Sequence, residues 1–219
     1  MTEFFVRDGQ CGVELVFKII GARWKPRILE LCYLQKGVTL SALKKDMPKC
    51  TDVMLTRQLK GLIADGILQR TNDRSDLKAG EYVLTERARD LMPVMVKMQE
   101  LTYLCDYPSS GYEYAVEYAN KLIGGKWRSR IIWVIHASGM LRFNQILRSV
   151  EGISHKILIE QLTELYGFQL INKIDYQEKS PHVEYSLTPT GEKAYQIIKE
   201  VANWCHKYDL LHVQVALSI

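Results

Sequence analysis

Basic and polar side chains between residues 44 and 60 have the chemistry to bind a polyanion. Arg57 carries a planar guanidinium that can donate two parallel hydrogen bonds to a guanine edge, and the Thr56 hydroxyl can bond a base or a phosphate oxygen. The lysines are better suited to contact phosphates, which position a protein on the duplex without reading its sequence: Lys44, Lys45, Lys49 and Lys60. Asp52 and Val53 share this side of a predicted helix. The alternative is an ordinary charged helix surface.

Most of the sequence pattern occurs twice, at a constant offset of 103 residues. Gly21–Ile28 returns as Gly124–Ile131, and Glu81–Thr85 returns as Glu184–Thr188. The period has the length of a small domain. We therefore predict two copies of one module, at residues 1–107 and 112–210, with a linker at 108–111 and a tail at 211–219.

The second copy presents a different face at the equivalent positions. Ile159 stands where the first copy has Thr56, and Glu160 stands where it has Arg57. A carboxylate repels phosphates, although it can accept from a cytosine amino group, and Ile159 can pack on a thymine methyl. Other side chains keep phosphate or base contact available: Arg142, Arg148, His155 and Lys156. We expect the first copy to supply most of the base readout.

The elements that must position these side chains follow from the apolar spacing. In the first copy, helices are predicted near 13–23 and 26–34, followed by a short helix capped by Thr39 and a longer one capped by Thr51. The longer helix is expected to bury Leu55, Leu59, Leu62 and Ile63. Strands near 67–71 and 81–84 and a helix from Glu86 complete the module.

The second copy repeats this order, with helices near 112–125, 127–137, 142–150, 154–167 and 190–209 and strands near 169–176 and 183–188. Helices followed by a two-stranded hairpin are typical of a winged helix-turn-helix. The predicted fold class is therefore mainly α with small β-hairpins (α+β), as two winged helix-turn-helix modules in tandem.

Composition bounds the function. The chain has 219 residues and a net charge of +4, and the central part of each copy concentrates basic residues, which is typical of a polyanion-binding face. Five cysteines without a CxxC pair favour a reducing compartment and offer no metal site. No apolar run approaches the length of a membrane span, and no signal peptide is evident. We expect a cytoplasmic protein without a membrane partner.

The motifs resemble those of the HxlR-type winged-helix transcriptional regulators. The second copy carries Gly124-Gly-Lys-Trp127, Leu141-Arg-Phe-Asn-Gln-Ile146 and Pro181-His-Val-Glu-Tyr-Ser-Leu-Thr188, and the first matches at Gly21-x-x-Trp24 and Glu81-Tyr-x-Leu-Thr85. The resemblance covers almost the whole chain. It implies a protein that binds double-stranded DNA and needs no cofactor.

Members of that family are usually single modules that pair as homodimers through their first and last helices. A tandem chain departs from this pattern and implies an intramolecular pseudo-dimer, with residues 86–106 and 190–209 at the junction. Two heads joined in this way could each take one half-site, about one DNA turn apart. The sequence leaves open a homodimer of the tandem chain and a small-molecule effector, for which a cleft between the modules could be lined by Phe17, Tyr103, Trp133, Tyr195 and Trp204.

The wings also differ between the copies. The second keeps the family-like segment from Lys179 to Glu184, whereas the first carries Arg74 and Lys78 in a mixed-charge loop. An arginine at a wing tip can enter a minor groove.

Two cysteines are candidate sensors. The resemblance implies a sensor here, because some relatives of this type respond to aldehydes, quinones or oxidants through a cysteine near the first helix. Cys11 stands at that place, although Gly12 follows it where the family often has proline. Cys50 precedes the recognition helix, where its modification would disturb DNA contact. The alternative for both is an inert thiol.

The competing functions are a winged-helix protein-interaction module that has lost DNA binding and an enzyme. Ile159 and Glu160 favour the first of these. No Ser-His-Asp arrangement, glycine-rich phosphate loop or HExxH motif supports the second, so we expect no enzyme.

Overall fold

A computed structural model describes residues 12–71, 80–105, 115–176 and 182–209. The first module contains α1 (Gly12–Ile20), α2 (Lys25–Leu34), α3 (Leu40–Asp46), α4 (Asp52–Ala64), β1 (Leu68–Arg70), β2 (Tyr82–Leu84) and α5 (Glu86–Tyr103). The second contains α6 (Ala115–Ile123), α7 (Arg128–Ser138), β3 (Met140–Arg142), α8 (Phe143–Ser149), α9 (His155–Gly167), β4 (Ile171–Asp175), β5 (Val183–Leu187) and α10 (Pro189–Lys207). The fold is mainly helical, with small antiparallel sheets in two winged helix-turn-helix modules, as predicted.

The small sheets follow the repeat. β1 pairs with β2, and in the second module β5 lies between β3 and β4, all antiparallel. The first module has only an isolated bridge, between Val38 and Tyr82, where the second has strand β3. The equivalent pair, 103 residues on, is Leu141 and Tyr185. The two modules therefore share one backbone pairing.

One sequence expectation is wrong, and one strand was not expected. Ile63 is 39% exposed and does not belong to the buried face of α4, because it stands three residues after Lys60 and seven after Thr56, on the exposed side of the helix. Strand β3 was not expected, whereas α8 begins at Phe143, in agreement with the helix predicted near 142–150. Arg142 ends the strand and occupies the N-cap position of α8, and its backbone amide donates to the Gln145 side-chain oxygen at 2.7 Å. Three residues form a strand here because β5 offers a free edge.

The modules pack through their first and last helices. α1 of the first module contacts α10 of the second, α6 of the second contacts α5 of the first, and α5 contacts α10. The apolar face of α5 is buried, and one continuous core includes residues of both modules, among them Met98 and Val201. Of the aromatic side chains expected to line a cleft, Phe17, Tyr195 and Trp204 are buried, whereas Tyr103 is 79% exposed.

Polar contacts also cross this junction. The Trp204 indole N–H donates to the Arg87 carbonyl oxygen at 2.8 Å, and the Tyr208 hydroxyl lies 2.6 Å from a carboxylate oxygen of Asp90. At Gly21, an added Cβ would lie 2.1 Å from Cγ of Asn120 on α6, so a side chain there would displace the Asn120 side chain. The junction is therefore close-packed as well as apolar.

Among the helices in the described ranges, none combines the length and hydropathy needed to cross a bilayer.

Candidate nucleic-acid interface

The helix α4 is held by a cap at its start and by leucines along one face. The Thr51 hydroxyl accepts a hydrogen bond from the Met54 amide at 3.3 Å, which satisfies one of the free N–H groups of the first turn. The buried leucines recur at helical spacing: Leu55, Leu59 and Leu62. The preceding helix α3 starts in the same way, with Thr39 accepting from Ala42. Both caps were predicted from the sequence and are confirmed.

The opposite face of α4 is exposed and continuous. It forms one open depression of about 490 Å³ whose lining is the predicted set: Asp52, Val53, Thr56, Arg57 and Lys60. Val53 is 79% exposed and adds an apolar contact point to this otherwise polar face. In the described part of the chain, Arg57 and Lys60 have no ion pair, so both charges are available to an anion. The fold thus brings together the five side chains that the helical spacing selected.

The lysines of the first module differ in their surroundings. The Lys44 ammonium lies 2.6 Å from a carboxylate oxygen of Asp52, so an incoming phosphate would compete with that carboxylate. Lys45 and Lys49 are exposed beside it, at the end of α3 and in the turn to α4. All three lie next to the start of α4, where free backbone N–H groups also favour an anion.

The link from α2 to α3 was not anticipated from the sequence. The Arg27 guanidinium donates to both carboxylate oxygens of Asp46, at 2.7 and 2.9 Å, and to Glu30 at 2.8 Å. These bonds to Asp46, more than those to Glu30, raise the pKa of Arg27. The two residues stand 19 positions apart, and their charge-assisted bonds tie α2 to the end of α3, the helix that precedes α4.

The second face has the same scaffold but another chemistry. Ser154 caps α9 by accepting from the Ile157 amide at 3.2 Å, and leucines equivalent to those of α4 are buried. His155, Lys156, Ile159 and Glu160 are exposed, and the His155 ring packs against Phe143 with centroids 4.7 Å apart. The basic centre of the first face is replaced by an apolar and an acidic side chain.

Two arginines of the second module, Arg142 at the end of β3 and Arg148 in α8, are partly engaged. Arg148 donates from Nε to the Asn144 carbonyl oxygen at 3.1 Å, and Arg142 lies with Nε 3.5 Å from Glu184 on β5. Hydrogen bonds from His182, and to a lesser degree from Tyr176 and Arg142, hold the pKa of Glu184 below its usual range. The base of the second wing is therefore a small polar network. The predicted wing residues Arg74, Lys78 and Lys179 lie outside the described residues.

The cysteine candidates are unequal. Cys11 lies outside the described residues. Cys50 is only 5% exposed, and burial raises its pKa, outweighing the lowering effect of Arg23. Burial also raises the pKa of Cys32, to about 12. Raised pKa values keep these two thiols protonated at neutral pH and disfavour the reactive thiolate. Within the described ranges, no three His, Cys, Asp or Glu side chains group as metal ligands.

The sequence of each module matches a known helix-turn-helix family. The HxlR-like helix-turn-helix family covers residues 19–106 and, a second time, residues 122–212. The chain belongs to this family. Two matches in tandem make it a double HxlR-like protein, in agreement with the internal repeat.

Relatives of the HxlR-like modules are each about one module long. MalR of Fusobacterium mortiferum is 36% identical over 93 residues, which are 42% of this chain and 88% of that protein. The uncharacterized HTH-type transcriptional regulator YdzF of Bacillus subtilis is 36% identical over 101 residues, 46% of this chain and 89% of that protein. Among solved structures, the redox regulator HypR in its reduced form is 31% identical with a TM-score of 0.42, covering 45% of this chain and 97% of its own.

Proposed function

We propose that this chain is a DNA-binding transcription regulator whose two HxlR-like heads pair within one chain and engage two half-sites of duplex DNA. The observation that carries the proposal is the exposed face of α4, where Arg57 and Thr56 stand on a capped, leucine-anchored helix beside three lysines. Such a helix fits the major groove, where a guanidinium reads guanine and a hydroxyl bonds a base or phosphate. The homologous proteins are transcription regulators and not enzymes.

Pairing of the heads within the chain is supported by a contact between equivalent positions. The Lys97 ammonium on α5 pairs with the Glu200 carboxylate on α10, and these residues stand 103 positions apart, at the repeat offset. In a two-fold arrangement, a position touches its own equivalent only near the axis. A pseudo-two-fold axis therefore passes close to this ion pair.

The same position explains an advantage of the tandem chain. In a homodimer of identical modules, both partners would carry the same charge here and would repel each other. Because the two copies have diverged, one supplies the cation and the other the anion. This arrangement favours pairing inside one chain over pairing of like modules.

We propose module limits of 1–107 and 112–210, joined by residues 108–111 and followed by a tail at 211–219.

The two heads are proposed to act unequally. The first supplies direct base readout through Arg57 and Thr56, with lysines on the phosphates. The second binds more weakly, since Glu160 repels phosphates at the position where the first head has Arg57, although Lys156, Arg142 and Arg148 can still approach them.

We retain Cys11 as the candidate sensor, and Cys11→Ser should then abolish any oxidant effect on DNA binding.

The test is selection of bound duplexes from a randomised DNA pool with purified, reduced protein. Two unequal half-sites about one turn apart are expected. A single enriched half-site would refute two-headed binding while keeping the first head, and no enrichment in low salt would refute the DNA-binding function altogether.

A second candidate function is docking of a protein partner by the second module. The observation in its favour is that Ile159 is 48% exposed next to an exposed carboxylate on α9, which suits a protein surface better than phosphates. Salt dependence separates the two functions, because phosphate contacts release counterions and give a steep fall of affinity with salt.

A further inference from the structure

A groove opens on the first module between α2, α5 and the start of α6. Its volume is about 370 Å³, which lies in the range of small-molecule sites. Its lining combines thioether, aromatic and charged side chains, chiefly Arg27, Glu30, Tyr33, Met92, Met95 and Val96. Tyr33 and Val96 are each about half exposed at the rim, although both are apolar or aromatic. The groove thus leaves apolar surface accessible to a ligand.

The internal repeat provides a filled counterpart of this groove. The positions of Glu30 and Met92 are occupied in the second module by Trp133 and Tyr195, whose ring centroids lie 5.3 Å apart. His136, the equivalent of Tyr33, stacks on Tyr195 with ring centroids 3.5 Å apart, and its Nδ1 lies 2.7 Å from a carboxylate oxygen of Glu192. In the second module, packed rings therefore occupy the space that stays open as a groove in the first module.

The difference lies in two substitutions. Met92 replaces a tyrosine ring with a flexible thioether, and Glu30 replaces an indole with a carboxylate. A planar ring inserted between α2 and α5 of the first module would restore the packing of the second. Methionine side chains make favourable contacts with aromatic rings, and Met95 lies in the same lining.

The charge of the groove selects the substituent on that ring. Arg27 is shared between the carboxylates of Asp46 and Glu30, so one guanidinium faces two anions. Among the described residues that line the groove, Arg27 and Glu30 are the charged ones, and the Glu30 side chain is 37% exposed. The three Arg27 nitrogens already donate to Asp46 and Glu30, so the exposed Glu30 carboxylate is the charged group that a ligand can reach, and it favours a cationic donor over an anionic acceptor.

We propose that this groove binds a planar aromatic cation, a bicyclic ring carrying a primary ammonium group. The ring packs between Met92 and Met95, and the ammonium donates to the Glu30 carboxylate at the rim. The site is independent of the face on α4, so that DNA binding is not needed to detect it.

The experiment uses the full chain and 2-naphthylmethylammonium as the probe, with 2-naphthalenemethanol and 2-naphthoate as neutral and anionic matches, in isothermal titration calorimetry. We expect the ammonium to bind about tenfold more tightly than the alcohol, and the carboxylate to bind most weakly. Glu30→Gln should bring the ammonium and the alcohol to similar affinity. Tightest binding by the carboxylate, or no binding of any probe, would overturn the proposal.

Position is tested by filling the groove. Met92→Tyr introduces the ring of the second module and should abolish binding of the ammonium. Val96→Trp, at an exposed rim position, is a second blocking variant that spares the core if Met92→Tyr fails to fold. Tyr195→Phe, in the filled counterpart, is the matched control and should bind normally. Unchanged binding by a folded blocking variant would place the ligand elsewhere and refute the site.

Discussion

The sharpest test of the proposed reading face is replacement of Arg57 by alanine. Arg57 is exposed on α4 and, within the described residues, makes no ion pair whose loss would weaken the fold. The whole effect should therefore appear in DNA binding. A bidentate contact with guanine is worth about 1–3 kcal/mol of discrimination, which corresponds to about a 5- to 150-fold loss of affinity.

The assay is fluorescence anisotropy with the selected duplex and with a scrambled one, over a series of salt concentrations. Arg57→Ala should weaken the selected duplex much more than the scrambled one. Lys60→Ala should weaken both equally and lower the salt slope by about 0.9, because it removes a phosphate contact and no base contact.

The matched control is Glu160→Ala, at the equivalent position of the second module. We expect its affinity to stay the same or to rise, since it removes a carboxylate from a face that approaches phosphates. Equal losses for Arg57→Ala and Glu160→Ala would refute the reasoning, because the two heads would then contribute alike. Preserved helical content and melting temperature must accompany each variant.

Three further predictions concern stability. Thr51→Ala removes the cap of α4 and should lower the free energy of unfolding by about 1 kcal/mol, measured by urea denaturation; no loss would mean that the bond to the Met54 amide contributes nothing. Lys97→Glu should lower the melting temperature, and adding Glu200→Lys should restore it. The change in the free energy of unfolding should stay below about 1 kcal/mol, because the pair is exposed. A double variant that does not recover would contradict the ion pair at the axis. Hydrogen bonds from Lys207 and, to a lesser degree, Tyr208 hold the pKa of Asp90 below its usual range. This contact therefore stabilises the junction above about pH 4, and the stabilisation is lost as the pH falls through the lowered pKa. Asp90→Asn should lose less stability between neutral and acid pH than the natural chain, and an identical pH profile of the two would exclude this contribution.

Much of the fold could be predicted from the sequence because its signals are local. The leucines of α4 recur at helical spacing, Thr39 and Thr51 stand where caps are needed, and the repeat offset carried each assignment from one module to the other. The exposed side of α4 followed from the same spacing, since whatever does not face the core faces solvent. These features depend on residues within one or two helical turns.

The sequence failed to predict those features that depend on contacts between segments distant in the chain. Ile63 continues the apolar spacing of α4 but is exposed, because the core covers the side of the helix that carries Leu62 and leaves the side that carries Lys60 to solvent. Strand β3 is too short to show periodicity and exists because β5 lies beside it. The bond from Arg27 to Asp46 joins two side chains that are 19 residues apart in the chain, and no local sequence pattern predicts it.

The sequence by itself determined the repeat, the helices with their caps and the residue types of the two faces, because these depend on spacing along the chain. Only the tertiary structure decided that Lys97 meets Glu200, that Cys50 is buried with a raised pKa, and that one groove stays open while its counterpart is filled. Each of these depends on which side chains from distant helices occupy the same space, and packing settles that only when the whole chain has folded.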